Sequence, residues 1–310
     1  MEDRSKILIL GAGCAIGQRL QAALGPQRTL ATYRRRSVPE GLYFELPGME
    51  LSEIIDRPSR FSHAVILLAE TDPDTCFRNR ADAEAINVDG IRRIIDWSLD
   101  HGIVPVFTSS RSVFDGEKGD YVESDPARPI TEYGRQKLRV ERYLEDAGAP
   151  FTILRLSSVV GIEPGDGTLF TNWLPALDRG DTIRCAQDQR FSPVFIDDVI
   201  AALVATVEQD LRGTFHVAGP AGMTRLEMLQ LLIGEMRRHG PCDVTVDACD
   251  LDEFPTLERR PLDTTMRADK LTAATGLRFR HPTDICAEIC ASEAARRRVG
   301  RDGLVAETRA

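Results

Sequence analysis

The stretch Lys6–Gly17, KILILGAGCAIG, decides the fold of this 310-residue chain. Ile7–Leu10 is an apolar run of strand length, and three glycines follow where the apolar spacing turns helical. Glycines between a strand and a helix permit a tight turn and let a pyrophosphate approach the helix N-terminus. The pattern predicts a dinucleotide-binding βα unit. The residues expected to contact the dinucleotide here are Gly11, Gly13, Cys14, Ala15, Ile16 and Gly17.

The chain after this turn alternates short apolar runs with helical patterns. Ala64–Ala69 is continuously apolar, as in a parallel strand covered on both faces, and the helix predicted next is Ala81–Leu99. A strand (Val104–Ser109), a helix (Thr131–Glu145) and a strand (Phe151–Leu156) continue the alternation. This rhythm predicts an α/β fold with a doubly wound parallel sheet of the Rossmann type.

The rhythm changes after Ser157, beyond which helix and strand patterns mix without steady alternation. We therefore predict an NAD(P)-binding Rossmann domain over residues 1–157, to which part of 190–218 returns. A smaller C-terminal α/β lobe, mainly substrate-binding, is predicted over 158–290. The charged segment 291–310 lacks a periodic apolar face and is predicted to be a flexible tail.

Composition and charge argue against several classes of function. The net charge is −9, and no long basic block offers a surface to nucleic acid. The seven cysteines contain no Cys-x-x-Cys pair and the five histidines show no metal-ligand spacing, so no metal site is predicted. No targeting signal or membrane-length apolar run is visible. We expect a soluble cytoplasmic protein with reduced thiols and no membrane partner.

The end of the second predicted strand bears on the choice between NADP and NAD. An acidic residue at this point accepts a hydrogen bond from the ribose 2′-hydroxyl of NAD. This chain instead has Thr32-Tyr33-Arg34-Arg35-Arg36, and arginine binds phosphate through charge-assisted hydrogen bonds. Tyr33, Arg34 and Arg35 are therefore predicted to bind the cofactor, with NADP(H) favoured over NAD(H). The alternative is a solvated basic loop.

Tyr133 and Lys137 are four residues apart, which places both side chains on one face of the predicted helix. A lysine cation lowers the pKa of a neighbouring tyrosine, and it can also orient a cofactor. The motif alone is common on solvated helices. Its context favours catalysis, because Thr108-Ser109-Ser110 ends a strand at the sheet edge where ligands bind. A serine hydroxyl there can hold a carbonyl oxygen while the tyrosine supplies the proton.

In this order the motifs resemble the extended short-chain dehydrogenase/reductase superfamily (the NAD-dependent epimerase/dehydratase superfamily), and within it the dTDP-4-dehydrorhamnose reductase branch. The resemblance runs from Lys6 to about Ile289. The segments that carry it are Ile86-Asn87-Val88, Val106–Gly116 (VFTSSRSVFDG), Tyr121–Glu141, Phe191–Val199, Gly213–Gly219 and Arg259–Leu277.

The resemblance implies a role for each matching residue. Ser110 would hold the carbonyl oxygen, Tyr133 would donate the proton and Lys137 would orient the cofactor. The residues implied to line the cofactor cleft further along the chain are Leu68, Ala69 and Ser157. The implied activity is NADPH-dependent reduction of a nucleotide-linked keto sugar, and a homodimer is common in the superfamily.

Three positions depart from the pattern of the branch. Cys14 stands where a glycine is usual in the phosphate-binding turn. Arg111-Ser112 replaces an Asp-Tyr pair after the catalytic hydroxyl, and Ser158 replaces a tryptophan that lies against the sugar. These changes leave hydride transfer possible but argue against dTDP-4-keto-rhamnose itself as the substrate. Since sugar dehydratases need an Asp-Glu pair after the hydroxyl, Arg111-Ser112 also argues against dehydration.

Two other functions remain open at this point. One is a sugar-nucleotide epimerase that cycles a bound NAD(P), and the other is a non-catalytic NADP-binding regulatory subunit like the methionine adenosyltransferase β subunit. The substrate residues predicted for the leading interpretation are Ser158, Gln189, Arg190 and Arg260, the last three as ligands of a substrate diphosphate.

Two polar residues lie inside apolar strand patterns. Arg155 is predicted to be paired, because an unpaired charge inside a sheet costs free energy. His216 is predicted to be a core histidine rather than a catalyst.

Overall fold

The computed structural model describes residues 5–163 and 167–292. The strands are β1 (Lys6–Leu10), β2 (Thr29–Tyr33), β3 (Leu42–Tyr43), β4 (Phe61–Ile66), β5 (Val104–Ser110), β6 (Thr152–Leu156), β7 (Val159–Val160), β8 (Ile183–Ala186), β9 (Arg190–Phe191), β10 (Val194–Phe195), β11 (Gly213–Val217), β12 (Met223–Thr224), β13 (Val246–Cys249) and β14 (Asp263–Thr264). The main helices are α1 (Ala15–Leu24), α2 (Pro73–Arg78), α3 (Arg80–Glu84), α4 (Ile91–Asp100), α5 (Glu132–Asp146), α6 (Leu169–Arg179), α7 (Ile196–Glu208), α8 (Arg225–His239), α9 (Asp269–Thr275) and one over 282–292. Most of the predicted tail over 291–310 lies outside the described residues.

The main sheet has the strand order β11-β6-β5-β4-β1-β2-β3, and its strand pairs are parallel. Ile7 and Ile9 face a buried apolar cluster that includes residues of α1 and α7. Leu8 and Leu10 face a second cluster, built with α4 and α5. Both faces of the sheet are therefore covered, as continuous apolar runs require. The predicted doubly wound α/β fold of the Rossmann type is confirmed.

The order of the strands places a crevice beside β1. The chain moves from β1 to β2 and β3 on one side, and then crosses back to β4 on the other. In such sheets ligands bind at the carboxyl ends of the strands where this reversal occurs. The phosphate-binding turn after β1 and the residues after β4 and β5 meet at that edge.

Two predicted elements differ from the structure. The fourth strand is Phe61–Ile66 rather than Ala64–Ala69, because β1 ends at Leu10 and offers no partner further along. The predicted helix over Ala81–Leu99 is interrupted by a π-helical turn at Ala85–Gly90. In this turn the Asn87 amide reaches out of the helix and bonds to neighbouring elements, which accounts for the wider turn.

A third apolar cluster of similar size lies mainly in the second half of the chain. It packs α6, α8 and the helix over 282–292 against the parallel pair of β8 and β13. In contrast, α7 packs on α1 and β11 pairs with β6, so this part of the chain adds to the main sheet. None of the described helices is long and apolar enough to cross a membrane.

Candidate functional site

The turn after β1 has the geometry of a phosphate-binding turn. Gly11 has a φ of +90°, which a residue with a side chain rarely adopts, and its amide donates to Thr32 Oγ1 at 3.1 Å. Cys14 is the N-cap of α1, and its Sγ accepts from the Gly17 amide at 3.4 Å. A Cβ atom on Gly17 would lie 2.4 Å from Ala12 Cα. Cysteine at position 14 therefore caps the helix without disturbing the turn.

The basic segment after β2 has an acidic partner that sequence patterns did not reveal. Arg34 Nε lies 2.7 Å from Glu45 Oε1, and the Tyr43 hydroxyl also donates to the Glu45 carboxylate. Glu45 follows β3, which pairs in parallel with β2. β2 itself carries no acid, but a carboxylate from the neighbouring strand lies beside the predicted 2′-phosphate ligand Arg34.

The segment after β4 lies beside the glycine turn and is held by Asn87. Leu68 packs against Gly11, where a Cβ atom would lie 3.0 Å from Leu68 Cδ2, and Ala69 follows it. The buried Asn87 side chain accepts from the Glu70 amide at 2.8 Å and donates to Gln136 Oε1 at 2.7 Å. One amide thus ties the predicted cofactor cleft to helix α5.

Helix α5 and the end of β5 bring the predicted catalytic residues together. Ser110 ends β5, and its Oγ accepts from the Ser112 amide at 3.2 Å. Tyr133 lies in the first turn of α5, which Thr131 caps. Lys137 Nζ lies 5.8 Å from the centre of the Tyr133 ring and donates to the Thr108 carbonyl oxygen at 2.9 Å. The lysine therefore fastens α5 to β5 beneath the tyrosine.

A glycine that sequence analysis did not single out sets this close approach. A Cβ atom on Gly134 would lie 2.0 Å from the Ser112 carbonyl oxygen. Only glycine lets the first turn of α5 pack directly on the turn after Ser110. The glycine between Tyr133 and Arg135 was a visible signal, because a helix interior otherwise disfavours that residue.

Burial sets the protonation of Tyr133 and Lys137. It raises the pKa of Tyr133 to about 12, and the Ser110 hydroxyl and the Arg111 cation oppose this rise only in part. Burial lowers the pKa of Lys137 to about 8. The expectation that Lys137 lowers the pKa of Tyr133 is wrong in this structure, because burial outweighs every neighbouring charge.

A cavity of about 470 Å³ opens above Ser110 and Tyr133. Its walls are formed by residues at the edge of the main sheet and by residues from the second half of the chain. The predicted residues among those that line it are Ser110, Tyr133, Ser157, Ser158, Gln189 and Arg260, and lining residues that sequence reasoning missed include Thr71, Arg111, Arg225 and Phe254. The Ser157 hydroxyl is buried and has no hydrogen-bond partner within the described residues.

The three predicted diphosphate ligands are placed differently. Gln189 is buried at the cavity wall. Arg260 Nη2 donates to Asp74 at 2.6 Å, and its buried Nη1 has no partner in the described part of the chain. Arg190 does not line the cavity, since its side chain turns towards Gly222 O and Asp263. We do not carry Arg190 forward as a substrate ligand.

The other two polar residues of the strands are buried. Arg155 forms an ion pair with Glu141, in which Nη2 and Oε2 are 2.7 Å apart, as predicted. His216 contacts the Phe114 ring edge to face, and burial lowers its pKa to about 3. It is therefore neutral near pH 7. It lies outside the lining of the cavity, so no described contact gives it a catalytic role.

Comparison with known proteins identifies the family. The RmlD substrate binding domain family matches residues 5–293, nearly the whole chain. This chain belongs to that family. A dTDP-4-dehydrorhamnose reductase of Sinorhizobium fredii is 29% identical over 224 residues, which cover 69% of this chain and 75% of that protein.

Solved structures of relatives share the fold along nearly its full length. The hypothetical dTDP-4-dehydrorhamnose reductase of Sulfolobus tokodaii superimposes with a TM-score of 0.76 at 25% identity, covering 86% of this chain and 94% of that one. The Bacillus anthracis dTDP-4-dehydrorhamnose reductase, solved in complex with NADP, has a TM-score of 0.77 at 20% identity and covers 94% and 100%.

Proposed function

We propose that this protein is an NADPH-dependent reductase of a nucleotide-linked keto sugar. The observation that carries the proposal is the convergence of Ser110 and Tyr133 on one cavity at the carboxyl edge of the sheet, with Lys137 buried beneath them. Membership of the RmlD family supports it, because the Sinorhizobium fredii relative is a dTDP-4-dehydrorhamnose reductase.

The residues of the crevice fit a nicotinamide dinucleotide. The Gly11–Gly17 turn and the start of α1 would hold the pyrophosphate, and Leu68 and Ala69 would line the adenosine side of the cleft. The buried, unpartnered Ser157 hydroxyl lies where a bound group would satisfy it. When bound, the reduced nicotinamide supplies a hydride to the ketone carbon.

Residues of the protein would bind the ketone oxygen and supply its proton. The Ser110 hydroxyl would donate a hydrogen bond to the ketone oxygen, and the Tyr133 hydroxyl would transfer its proton to that oxygen. With a pKa near 12, Tyr133 holds this proton at neutral pH. The alkoxide that forms is a stronger base than a phenolate, so the transfer is downhill. Lys137 keeps further N–H donors for the ribose hydroxyls of the cofactor.

The outer end of the cavity would hold the nucleotide. Arg260 Nη1 and the Gln189 amide are donors suited to phosphate oxygens, and Ser158 lies closer to the sugar. The Asp74 carboxylate holds Arg260 in place through an ion pair. We therefore propose Arg260 as a ligand of the diphosphate.

The proposed activity is tested by NADPH oxidation. The purified protein is mixed with NADPH and a series of nucleotide-linked 4-keto sugars, and the loss of absorbance at the nicotinamide band is followed. We expect turnover with at least one member of the series. Binding of NADPH without turnover on any of them would contradict a reductase and would favour a regulatory subunit.

The proposed preference for NADPH over NADH is tested at Arg34. Replacing Arg34 by alanine should weaken NADPH binding by about tenfold or more, because a charge-assisted hydrogen bond to the 2′-phosphate is lost. NADH binding should stay the same. Nicotinamide fluorescence titration gives both dissociation constants, and Arg28→Ala serves as the control because Arg28 pairs with Glu208 on the surface. Equal affinities of the unmodified protein for NADPH and NADH would contradict the preference.

A further inference from the structure

Arg111 and Arg225 line the cavity, and neither guanidinium is paired with an acidic side chain in the described part of the chain. Arg111 Nη1 donates to the Thr264 hydroxyl, and its guanidinium lies 4.8 Å from the centre of the Phe191 ring. Arg225 Nε donates to Gln189 Oε1 at 2.7 Å. Within residues 5–163 and 167–292, neither guanidinium forms an ion pair with a carboxylate.

This arrangement contrasts with Arg260 in the same cavity, which pairs with Asp74. Burial, together with the neighbouring Arg225 cation, lowers the pKa of Arg111 to about 10. Two like charges placed together in a partly buried cavity cost free energy unless an anion joins them. The pair therefore indicates a binding site for an oxyanion.

The place of Arg111 indicates which part of a nucleotide sugar carries that oxyanion. Arg111 follows Ser110 in the chain, and Ser110, Arg111 and Tyr133 line the same cavity. Ser110 and Tyr133 are assigned to the ketone oxygen. A group bound by Arg111 would therefore lie beside the reacting carbon. The diphosphate, which is attached across the ring from C4, is the group that we have assigned to Arg260.

We infer that Arg111 and Arg225 form a carboxylate-binding subsite, and that the sugar of the substrate is a uronic acid. In a hexose that reacts at C4, the C6 carboxylate is attached to the adjacent carbon C5. A guanidinium can bind it through two parallel hydrogen bonds, and Thr264 holds Arg111 in place for this contact. This inference rests on the proposed function, since it assumes that the cavity binds a nucleotide sugar.

The test compares two ligands that differ only in this carboxylate. Dissociation constants of UDP-glucuronic acid and UDP-glucose are measured by calorimetry in the presence of NADP⁺. We expect the acid to bind about tenfold more tightly or better, as one charge-assisted bidentate contact provides. Arg111→Met should reduce the difference to about twofold or less, because it weakens binding of the acid far more than binding of UDP-glucose, and Arg111→Lys should restore part of the difference.

Controls and contrary outcomes separate this inference from the proposed function. Arg184→Met removes an arginine of the same lobe that pairs with Glu253 and does not line the cavity, so it should preserve the preference. If Arg111→Met does not fold, Arg225→Met is the second variant, and the unmodified protein alone already tests the preference. Equal affinities of the unmodified protein for the two ligands would overturn the inference, as would an equal loss of affinity for both in Arg111→Met. Neither result would affect the proposed function. Failure of both to bind would also overturn the inference, whereas the proposed function is contradicted only by the absence of turnover throughout the NADPH oxidation screen.

Discussion

Replacing Tyr133 by phenylalanine should lower kcat for ketone reduction by about 10²–10⁴-fold, the range for loss of a general acid. The substitution removes only the hydroxyl, because the ring packs with Cys76 and Ala83 and phenylalanine keeps those contacts. The dissociation constant of NADPH should therefore stay within about twofold, since Lys137 and the glycine turn are intact. Single-turnover NADPH oxidation with the substrate found in the screen measures the chemical step.

The matched control for this substitution lies on the same helix. Tyr143 is in α5, but its hydroxyl bonds to Asp96 away from the cavity. Tyr143→Phe should therefore leave kcat unchanged. An activity of Tyr133→Phe equal to that of the unmodified protein would show that another group donates the proton.

Replacing Arg155 by methionine should lower the free energy of unfolding by about 3–5 kcal/mol. Arg155 donates to both carboxylate oxygens of Glu141, and Ser109 donates to the same carboxylate. Glu141 is fully buried, and without the arginine its negative charge would keep the Ser109 hydrogen bond and the charge of Lys137 but lose its ion-pair partner. The pair joins β6 to α5, so its loss should also loosen the helix that carries Tyr133.

Urea unfolding followed by circular dichroism measures this loss. The double variant Arg155→Met and Glu141→Leu should recover a substantial part of it, because an apolar pair of similar volume leaves no buried charge. Arg179→Met, which breaks the exposed pair with Asp181, should change little. A single Arg155→Met variant as stable as the unmodified protein would show that the buried pair contributes nothing.

Much of the fold follows from local patterns. Strand β1, strand β5 and helix α5 match the predicted elements closely, because buried parallel strands and an amphipathic helix leave clear periodicities. The interruption of the helix near Asn87 did not follow from such patterns. It depends on bonds from this side chain to Glu70 and Gln136, which are distant in the chain.

In the candidate site, too, local sequence patterns predicted some residues, whereas others depend on contacts between residues distant in the chain. Ser110 and Tyr133 were found because their spacing and position carry a chemical meaning. Arg225 and Glu45 were not, because their importance comes from residues that the fold brings beside them. The protonation of Tyr133 was also beyond local reasoning, since the burial that raises its pKa belongs to the packed structure.

The most direct test of the central claim uses NADPH that carries deuterium at both C4 positions of the nicotinamide. The unmodified protein is incubated with this cofactor and a nucleotide-linked 4-keto sugar, and the sugar product is analysed by mass spectrometry and NMR. We predict one deuterium on C4 of the sugar for each NADPH oxidised, and none above background with Tyr133→Phe in the same time. Bound NADPH that transfers no deuterium to any 4-keto sugar would contradict a reductase.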